Sequence, residues 1–116
     1  MILEQEDLEG HSLLPLLKEL SGKSQMSFQL GAVVVKKNKI LGKGYNSRKT
    51  HPVFGGTSKF KMLHAECSAV YDALKKRYDV TGATIYVFRK NFRLAKPCDS
   101  CIKILQEAGI KKVVHT

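Results

Sequence analysis

Two short segments constrain the fold of this chain more than any other feature. His64-Ala65-Glu66 and Pro97-Cys98-Asp99-Ser100-Cys101 each lie at the start of a predicted helix, and a predicted strand separates them. Together they supply one imidazole, two thiols and one further carboxylate. This is the donor set of a zinc ion with three protein ligands, an open fourth position and an adjacent proton carrier. The chain must therefore fold so that the N-termini of two helices meet.

The order of apolar runs and turn residues predicts an α/β fold. A β-branched run over 31–35, a tight turn over 36–39 and a returning run over 40–45 predict an antiparallel hairpin. Helices are predicted over 12–20, 65–77 and 97–109, and further strands over 83–88 and 110–114. Ser12 is the predicted N-cap of the first helix, with Pro15 in its first turn. The sequence predicts a three-layer sandwich whose mixed sheet begins with the hairpin and continues by parallel βαβ steps.

Length and local composition suggest one domain with a short lead-in. A chain of 116 residues is the size of a single domain. We expect an acidic, polar lead-in over 1–11 and the compact domain over 12–116. Ligands of open α/β sheets bind outside the carboxyl ends of the strands, where helices begin. Both motifs are predicted at such positions.

The formal net charge of +10 is unevenly distributed. Four of the ten acidic residues lie in the first ten positions, which contain no Lys or Arg. The strongly basic remainder favours an anionic partner, either a phosphorylated small molecule or a nucleic acid, over the alternative of a merely solvated lysine-rich surface. No apolar run is long enough for a membrane span, and the N-terminus has no features of a secretory signal. We therefore expect no membrane partner and an intracellular, cytoplasmic location.

The metal motifs leave two structural alternatives open. Cys98 and Cys101 are three residues apart, so their sulfurs share one face of a first helical turn, where thiolates are favoured. Glu66 can face the same point as His64 if His64 is the cap residue of its helix. A closed structural site would need a fourth ligand, for which the candidates are Cys67, His51 and His115. A thioredoxin-like redox pair is the competing interpretation of Cys-x-x-Cys alone. Cys67 is expected to be a buried thiol.

These motifs resemble the cytidine and deoxycytidylate deaminase superfamily over residues 12–115. Gly44-Tyr45-Asn46 and the runs over 31–35 and 108–114 carry the resemblance further, and the loop over 45–52 is most similar to small phage-like deoxycytidylate deaminases. The resemblance implies zinc on His64, Cys98 and Cys101. It also implies that water held by the zinc attacks the ring carbon of cytosine, that Glu66 shuttles protons and that ammonia leaves. From the same resemblance, we expect a compact domain without the family's usual last strand and helix.

The substrate is less constrained than the chemistry. Two basic loops, over 46–62 and 89–96, lead into the metal ligands and fit either a deoxycytidylate-like nucleotide or cytosine or adenine in single-stranded DNA or RNA. Candidate substrate contacts are Asn46, Arg48, His51, Ala65 and Phe92. A catalytically silent zinc module that binds nucleic acid is a third possibility, against which Glu66 argues. A sheet that ended at a bare strand would expose an edge, which indicates either self-association as a homo-oligomer or a segment that covers the edge.

Overall fold

The computed structural model describes residues 1–48 and 63–116. The elements along the chain are β1 (Ile2–Gln5), α1 (Leu14–Gly22), β2 (Leu30–Lys36), β3 (Lys39–Tyr45), α2 (Ala65–Lys75), β4 (Thr84–Arg89), α3 (Asp99–Glu107) and β5 (Lys112–His115). The strands form one sheet in the order β1-β5-β4-β2-β3. Among the described helices, none is long and apolar enough to cross a membrane.

The sheet is mixed, as predicted. Strands β2 and β3 pair antiparallel with Lys36 opposite Lys39. The two residues between them, Lys37 and Asn38, have φ angles of 51° and 64°, as a two-residue type I′ turn requires. Strand β4 pairs antiparallel with β2 and parallel with β5, and α3 forms the crossover between β4 and β5. The hairpin and the parallel step are both confirmed.

Helices cover both faces of the sheet and give the predicted three layers. On one face, the leucines of α1 pack with Val33, Phe88 and Val114. On the other face, α2 and α3 pack over the central strands around a larger core that includes Val34, Ile85, Val87, Val113 and Leu105. This second layer carries both metal motifs at the starts of its two helices.

The first residues of the chain differ from the expected polar lead-in. Residues Ile2–Gln5 form β1, which pairs parallel with β5 from Ile2 opposite Lys112 to Gln5 opposite His115. Lys112 Nζ lies 2.7 Å from Glu4 Oε2, and Leu8 is buried against the α1 face. The outer edge of β5 offers backbone groups that need partners, and β1 satisfies them. The edge of β5 is therefore paired, and β1 is the outermost strand on this side of the sheet.

Two helices begin later than the sequence predicted. Helix α1 begins at Leu14 rather than Ser12, because the ring Nδ1 of His11 accepts a hydrogen bond from the Leu13 N–H at 3.0 Å; Pro15 does lie in the first turn. Helix α3 begins at Asp99 rather than Pro97, since Cys98 has an extended backbone and forms the cap.

Glycines in β3 let α2 lie directly on the sheet. A Cβ at Gly42 or Gly44 would overlap the backbone of Ala69, and at Gly42 it would also meet Ala73. Ala69 and Ala73 are the small residues of α2 on this face, and both are fully buried. This close approach fixes the distance of α2 from the sheet and hence the place where its first turn begins.

Candidate metal centre

His64 and Cys98 occupy equivalent positions at the starts of two helices. His64 is the N-cap of α2 with φ −72° and ψ 152°, and Cys98 is the N-cap of α3 with φ −71° and ψ 166°. Neither side chain caps its own helix by a hydrogen bond. Their extended backbones instead leave both side chains free to turn toward each other. Cys101 follows in the first turn of α3 and is fully buried.

The three donor atoms converge on one point. His64 Nδ1 lies 2.9 Å from Cys101 Sγ and 3.6 Å from Cys98 Sγ, and all three donor atoms lie within 4.8 Å of one another. Nitrogen and sulfur ligands on one tetrahedral zinc ion are separated by about 3.3–3.8 Å, given bond lengths of about 2.0–2.3 Å. The separations here are close to that range, and one imidazole with two thiols is a donor set that zinc prefers. The residues therefore fit a zinc ion with three protein ligands.

The proposed fourth ligands do not join this group among the described residues. Cys67 Sγ is 3.7 Å from Cys101 Sγ but lies outside the cluster of mutually close donors. Cys67 is fully buried in the core, as predicted. Nδ1 of His115 lies 2.9 Å from the backbone oxygen of Thr116, and His51 lies outside the described residues. The described residues thus leave one zinc position for a non-protein ligand, and the three cysteines form no disulfide.

Burial sets the protonation of the groups around this point. It lowers the pKa of His64, which keeps the imidazole neutral and able to bind a metal. The hydrogen-bonded contact with the Cys67 thiol and burial both raise the pKa of the Cys101 thiol, because both favour its uncharged form. The free N–H groups of the first turns of α2 and α3 present partial positive charge to the two sulfurs. Without a bound cation, Cys101 is therefore a neutral thiol, and zinc binding requires it to lose its proton.

Glu66 is a buried carboxyl group beside the metal ligands. Only 3% of the residue is exposed, although it carries an ionisable group. Burial raises the pKa of Glu66 to about 7, and a hydrogen bond to backbone opposes this shift. A carboxyl group with such a pKa can both accept and release a proton near neutral pH.

A cavity of about 170 Å³ brings the site together. His64, Glu66 and Cys98 line it, together with Asn46 and Ala65. The side chain of Asn46 is already engaged by backbone. Its Oδ1 accepts a hydrogen bond from the Leu30 N–H at 3.0 Å, and its Nδ2 donates to the Phe28 carbonyl at 2.8 Å. Asn46 therefore fixes the start of β2 at the wall of the cavity and keeps one N–H for another partner.

The other predicted substrate contacts lie elsewhere. Arg48 lines a separate cavity with Lys23 and Tyr45. Phe92 packs edge-on against Phe88 with a ring-centroid distance of 5.3 Å, on the α1 face of the sheet. Neither residue lines the cavity with Glu66, so contact of either with a substrate stays a prediction. The prediction for His51 falls outside the described residues.

Six residues of the cavity were not among the predicted contacts: Phe28, Leu30, Arg89, Leu94, Ala95 and Lys96. Arg89 and Lys96 belong to the basic loop that sequence reasoning placed near the pocket mouth. No sequence motif indicated that Phe28 would line the cavity. Phe28 precedes β2, and the pairing of β2 with β4, in which Leu30 lies opposite Arg89, brings it there.

Comparison with known proteins identifies the family. The model of the cytidine and deoxycytidylate deaminase zinc-binding region matches residues 5–116. The deoxycytidylate deaminase of Mycobacterium phage D29 is 30% identical over 104 residues, which cover 75% of this chain and 77% of that protein. The chain belongs to the cytidine and deoxycytidylate deaminase family. Its cofactor is Zn²⁺, in agreement with the donor set.

The chain is also similar to two further deoxycytidylate deaminases, one by sequence and one by structure. Mouse deoxycytidylate deaminase is 34% identical over 101 residues, and the matched part covers 76% of this chain but only 52% of the mouse protein. The chain thus spans about half the length of that relative. The crystal structure of dCMP deaminase from cyanophage S-TIM5, in complex with dCMP and dUMP, superposes with a TM-score of 0.64 over 96% of this chain and 85% of the other. At 22% identity, this superposition shows the shared deaminase fold.

Proposed function

We propose that this protein is a hydrolytic deaminase that converts the cytosine of a deoxycytidylate-like nucleotide to uracil and releases ammonia. One observation carries the proposal. His64 Nδ1, Cys98 Sγ and Cys101 Sγ lie within 4.8 Å of one another at the cavity that Glu66 also lines. A structural zinc site does not require a buried carboxyl group that is not a ligand, such as Glu66. Hydrolytic deamination does require a group that carries protons at this position.

In this proposal, His64, Cys98 and Cys101 hold the zinc ion. Zinc with three protein ligands supplies a Lewis acid that brings the pKa of bound water to about 7. The α2 and α3 N-termini hold the three ligands from two sides and stabilise the charge of the two thiolates. The hydrophobic core around Cys101 holds the start of α3 in place. The close contact of α2 with the glycines of β3 holds the start of α2.

Glu66 moves protons between the water and the base. Its carboxylate accepts one proton from the attacking water and delivers it to the ring nitrogen of cytosine. It then takes the remaining proton from the hydroxyl group added to the ring carbon and passes it to the amino group, which leaves as ammonia while the carbonyl of uracil forms. The surrounding side chains, among them Phe28, Leu94 and Ala95, limit access of bulk water to the carboxyl group. Asn46 contributes its remaining N–H to the sugar side of the substrate.

The nucleotide as substrate class rests on the relatives and on charge. The phage and mouse relatives carry the name deoxycytidylate deaminase, and the cyanophage structure holds dCMP and dUMP. Arg89 and Lys96 line the cavity, and among its described lining residues Glu66 carries the only carboxylate. An anionic substrate fits this lining better than a neutral nucleoside does. Because two of the three thiols must stay reduced to bind zinc, we place the protein in the reducing cytoplasm.

Single-stranded DNA or RNA is the second candidate substrate. Lys90, Arg93 and Lys96 are exposed beside the cavity mouth, and exposed cations in series can follow a phosphodiester backbone. The third possibility is a catalytically silent zinc module that binds nucleic acid. The position of Glu66 argues against it.

A substrate panel tests the proposal. Zinc-loaded protein is incubated with dCMP, CMP, deoxycytidine, cytidine and a single-stranded oligonucleotide containing one cytosine, and the products are measured by mass spectrometry. We expect dCMP to be converted fastest. The E66Q variant should keep its zinc and fold but lose about 10²- to 10⁴-fold in rate, while E107Q, at an exposed position on α3, serves as the matched control. No conversion of any member, or an E66Q rate close to that of the wild type, would contradict the proposal.

A further inference from the structure

A second cavity, of about 250 Å³, adjoins the one that Glu66 lines. Phe28 and Arg89 line both cavities, so the two are direct neighbours. Lys90 and Arg93 also line the second cavity, and no acidic side chain is among its described lining residues. Three cations around a small, polar space favour an anionic ligand there over a neutral one.

Arg89 is held in a fixed position between the two cavities. The residue is half-buried, and its guanidinium carbon lies 5.7 Å from the centre of the Phe28 ring. This cation–π contact limits the rotamers of a long side chain. A preorganised guanidinium group presents a planar set of N–H donors that matches the oxygens of a phosphate.

Hydrogen bonds to Thr116 and Gln29 hold the segment 89–93 in a tight turn beside the second cavity. The hydroxyl group of Thr116 accepts from the Arg89 N–H at 3.1 Å and donates to the Arg93 carbonyl at 2.6 Å. The Lys90 N–H donates to the Gln29 carbonyl at 2.9 Å. Asn91 and Phe92, in the middle of the turn, have φ angles of 64° and 55°. This left-handed backbone is strained for side-chain-bearing residues and needs such support.

We propose that the second cavity binds the 5′-phosphate of the nucleotide whose base enters the first cavity. The proposal rests on the proposed function and names the group by which the enzyme distinguishes nucleotides from nucleosides. A phosphate monoester carries about 1.5–2 negative charges at pH 7, which Arg89, Lys90 and Arg93 balance. Thr116 is a positioning residue, because its hydroxyl group ties both ends of the turn without facing the phosphate.

Steady-state kinetics with paired substrates test the subsite. R93Q removes one charge and leaves the backbone bond to Thr116 in place. We expect its KM for dCMP to rise about ten- to a hundredfold, the loss of a charged hydrogen bond, with little change in kcat and none in kcat/KM for deoxycytidine. T116V should raise the KM for dCMP in the same selective way, and T116S should restore it. R77Q, at an exposed position after α2, is the matched control.

Binding measurements separate the subsite from the chemistry. By calorimetry, the wild type should bind the product nucleotide dUMP at least tenfold more tightly than deoxyuridine, a preference of about 1.4 kcal/mol, and R93Q should lose this preference. That result supports the subsite even if no substrate is deaminated, an outcome that would overturn only the proposed function. Equal binding of dUMP and deoxyuridine, or equal losses for dCMP and deoxycytidine in R93Q, would overturn the subsite. Selective loss for the oligonucleotide alone would assign these cations to a phosphodiester backbone instead.

Discussion

Cys101 is the residue at which the metal centre and the hydrophobic core meet. Its sulfur lies 2.9 Å from His64 Nδ1 and 3.7 Å from Cys67 Sγ, so one thiol contacts a candidate ligand and a core residue. Burial and the Cys67 contact raise the pKa of the Cys101 thiol. Zinc binding must therefore displace a tightly held proton from the buried Cys101.

We predict that the three cysteines differ in their effect on zinc content. C98S and C101S each remove one of three ligands, so the purified variants should contain less than a tenth of the zinc of the wild type. C67A should keep wild-type zinc, because Cys67 lies outside the converging donor set. Inductively coupled plasma mass spectrometry of the desalted proteins measures the content, and circular dichroism checks the fold. Full zinc in C98S, or loss of zinc in C67A, would show that the ligand set is wrong.

The positions of the predicted site residues follow from the sequence where local geometry determines them. His64 as a cap residue, with Glu66 facing the same cavity, follows from the start of one helix, and the Cys-x-x-Cys spacing follows from the first turn of another. Phe28 could not be predicted in this way, because only the pairing of β2 with β4 brings it to Arg89. Phe92 shows the same limit. Its left-handed backbone turns it toward the α1 face, which no spacing rule indicates.

At the scale of elements, the packing of α2 on β3 determines where the metal ligands lie. Gly42 and Gly44 leave room for Ala69 and Ala73, so α2 approaches the sheet backbone directly. His64 directly precedes α2 as its N-cap. Any displacement of this helix therefore moves the imidazole away from Cys98 and Cys101. The glycine pair in β3 therefore supports the metal centre although it touches none of the ligands.

We predict that G42A destabilises the protein and loosens the metal site. A Cβ at position 42 would overlap the backbone of Ala69 and crowd Ala73. We expect the free energy of unfolding in urea to fall by about 1–3 kcal/mol, with faster release of zinc to a chromogenic chelator. G22A is the matched control, because nothing lies within 4 Å of a Cβ there. Equal stability of G42A and G22A would contradict this role of the close contact.

Hydrophobic periodicity predicted the elements with strong patterns and missed the one without. The hairpin, the crossover helix and both later strands have runs of apolar residues that fit their faces. Strand β1 does not, because three of its four residues are exposed and acids interrupt the segment. Its strand conformation depends on the free edge of β5, a tertiary partner about 110 residues away along the chain. Local sequence cannot contain that information.

For the whole molecule, β1 changes the expectation about association. The sequence suggested that the edge of β5 would be bare unless self-association or a covering segment protected it. In the structure β1 covers that edge, and four of the chain's ten acidic residues lie in β1 and the segment after it. Negative charge is thus concentrated near one edge of the sheet, which leaves the basic residues to dominate the cavities around Arg89. Self-association stays a prediction. The edge of β5 is available for pairing with another copy only when β1 is removed.

We predict that removal of residues 1–5 destabilises the protein and promotes self-association. The variant loses the backbone hydrogen bonds between β1 and β5, which should lower the free energy of unfolding by about 1–3 kcal/mol, and it exposes the edge of β5 to pairing with another copy. Sedimentation velocity over a range of concentrations should show dimers or larger species in the truncated protein. E4Q, which removes only the ion pair with Lys112, should sediment like the intact chain. If the truncated protein has the same oligomeric state and unfolding midpoint as the intact chain, β1 has no protective role, and the edge of β5 must be unsuited to pairing for another reason.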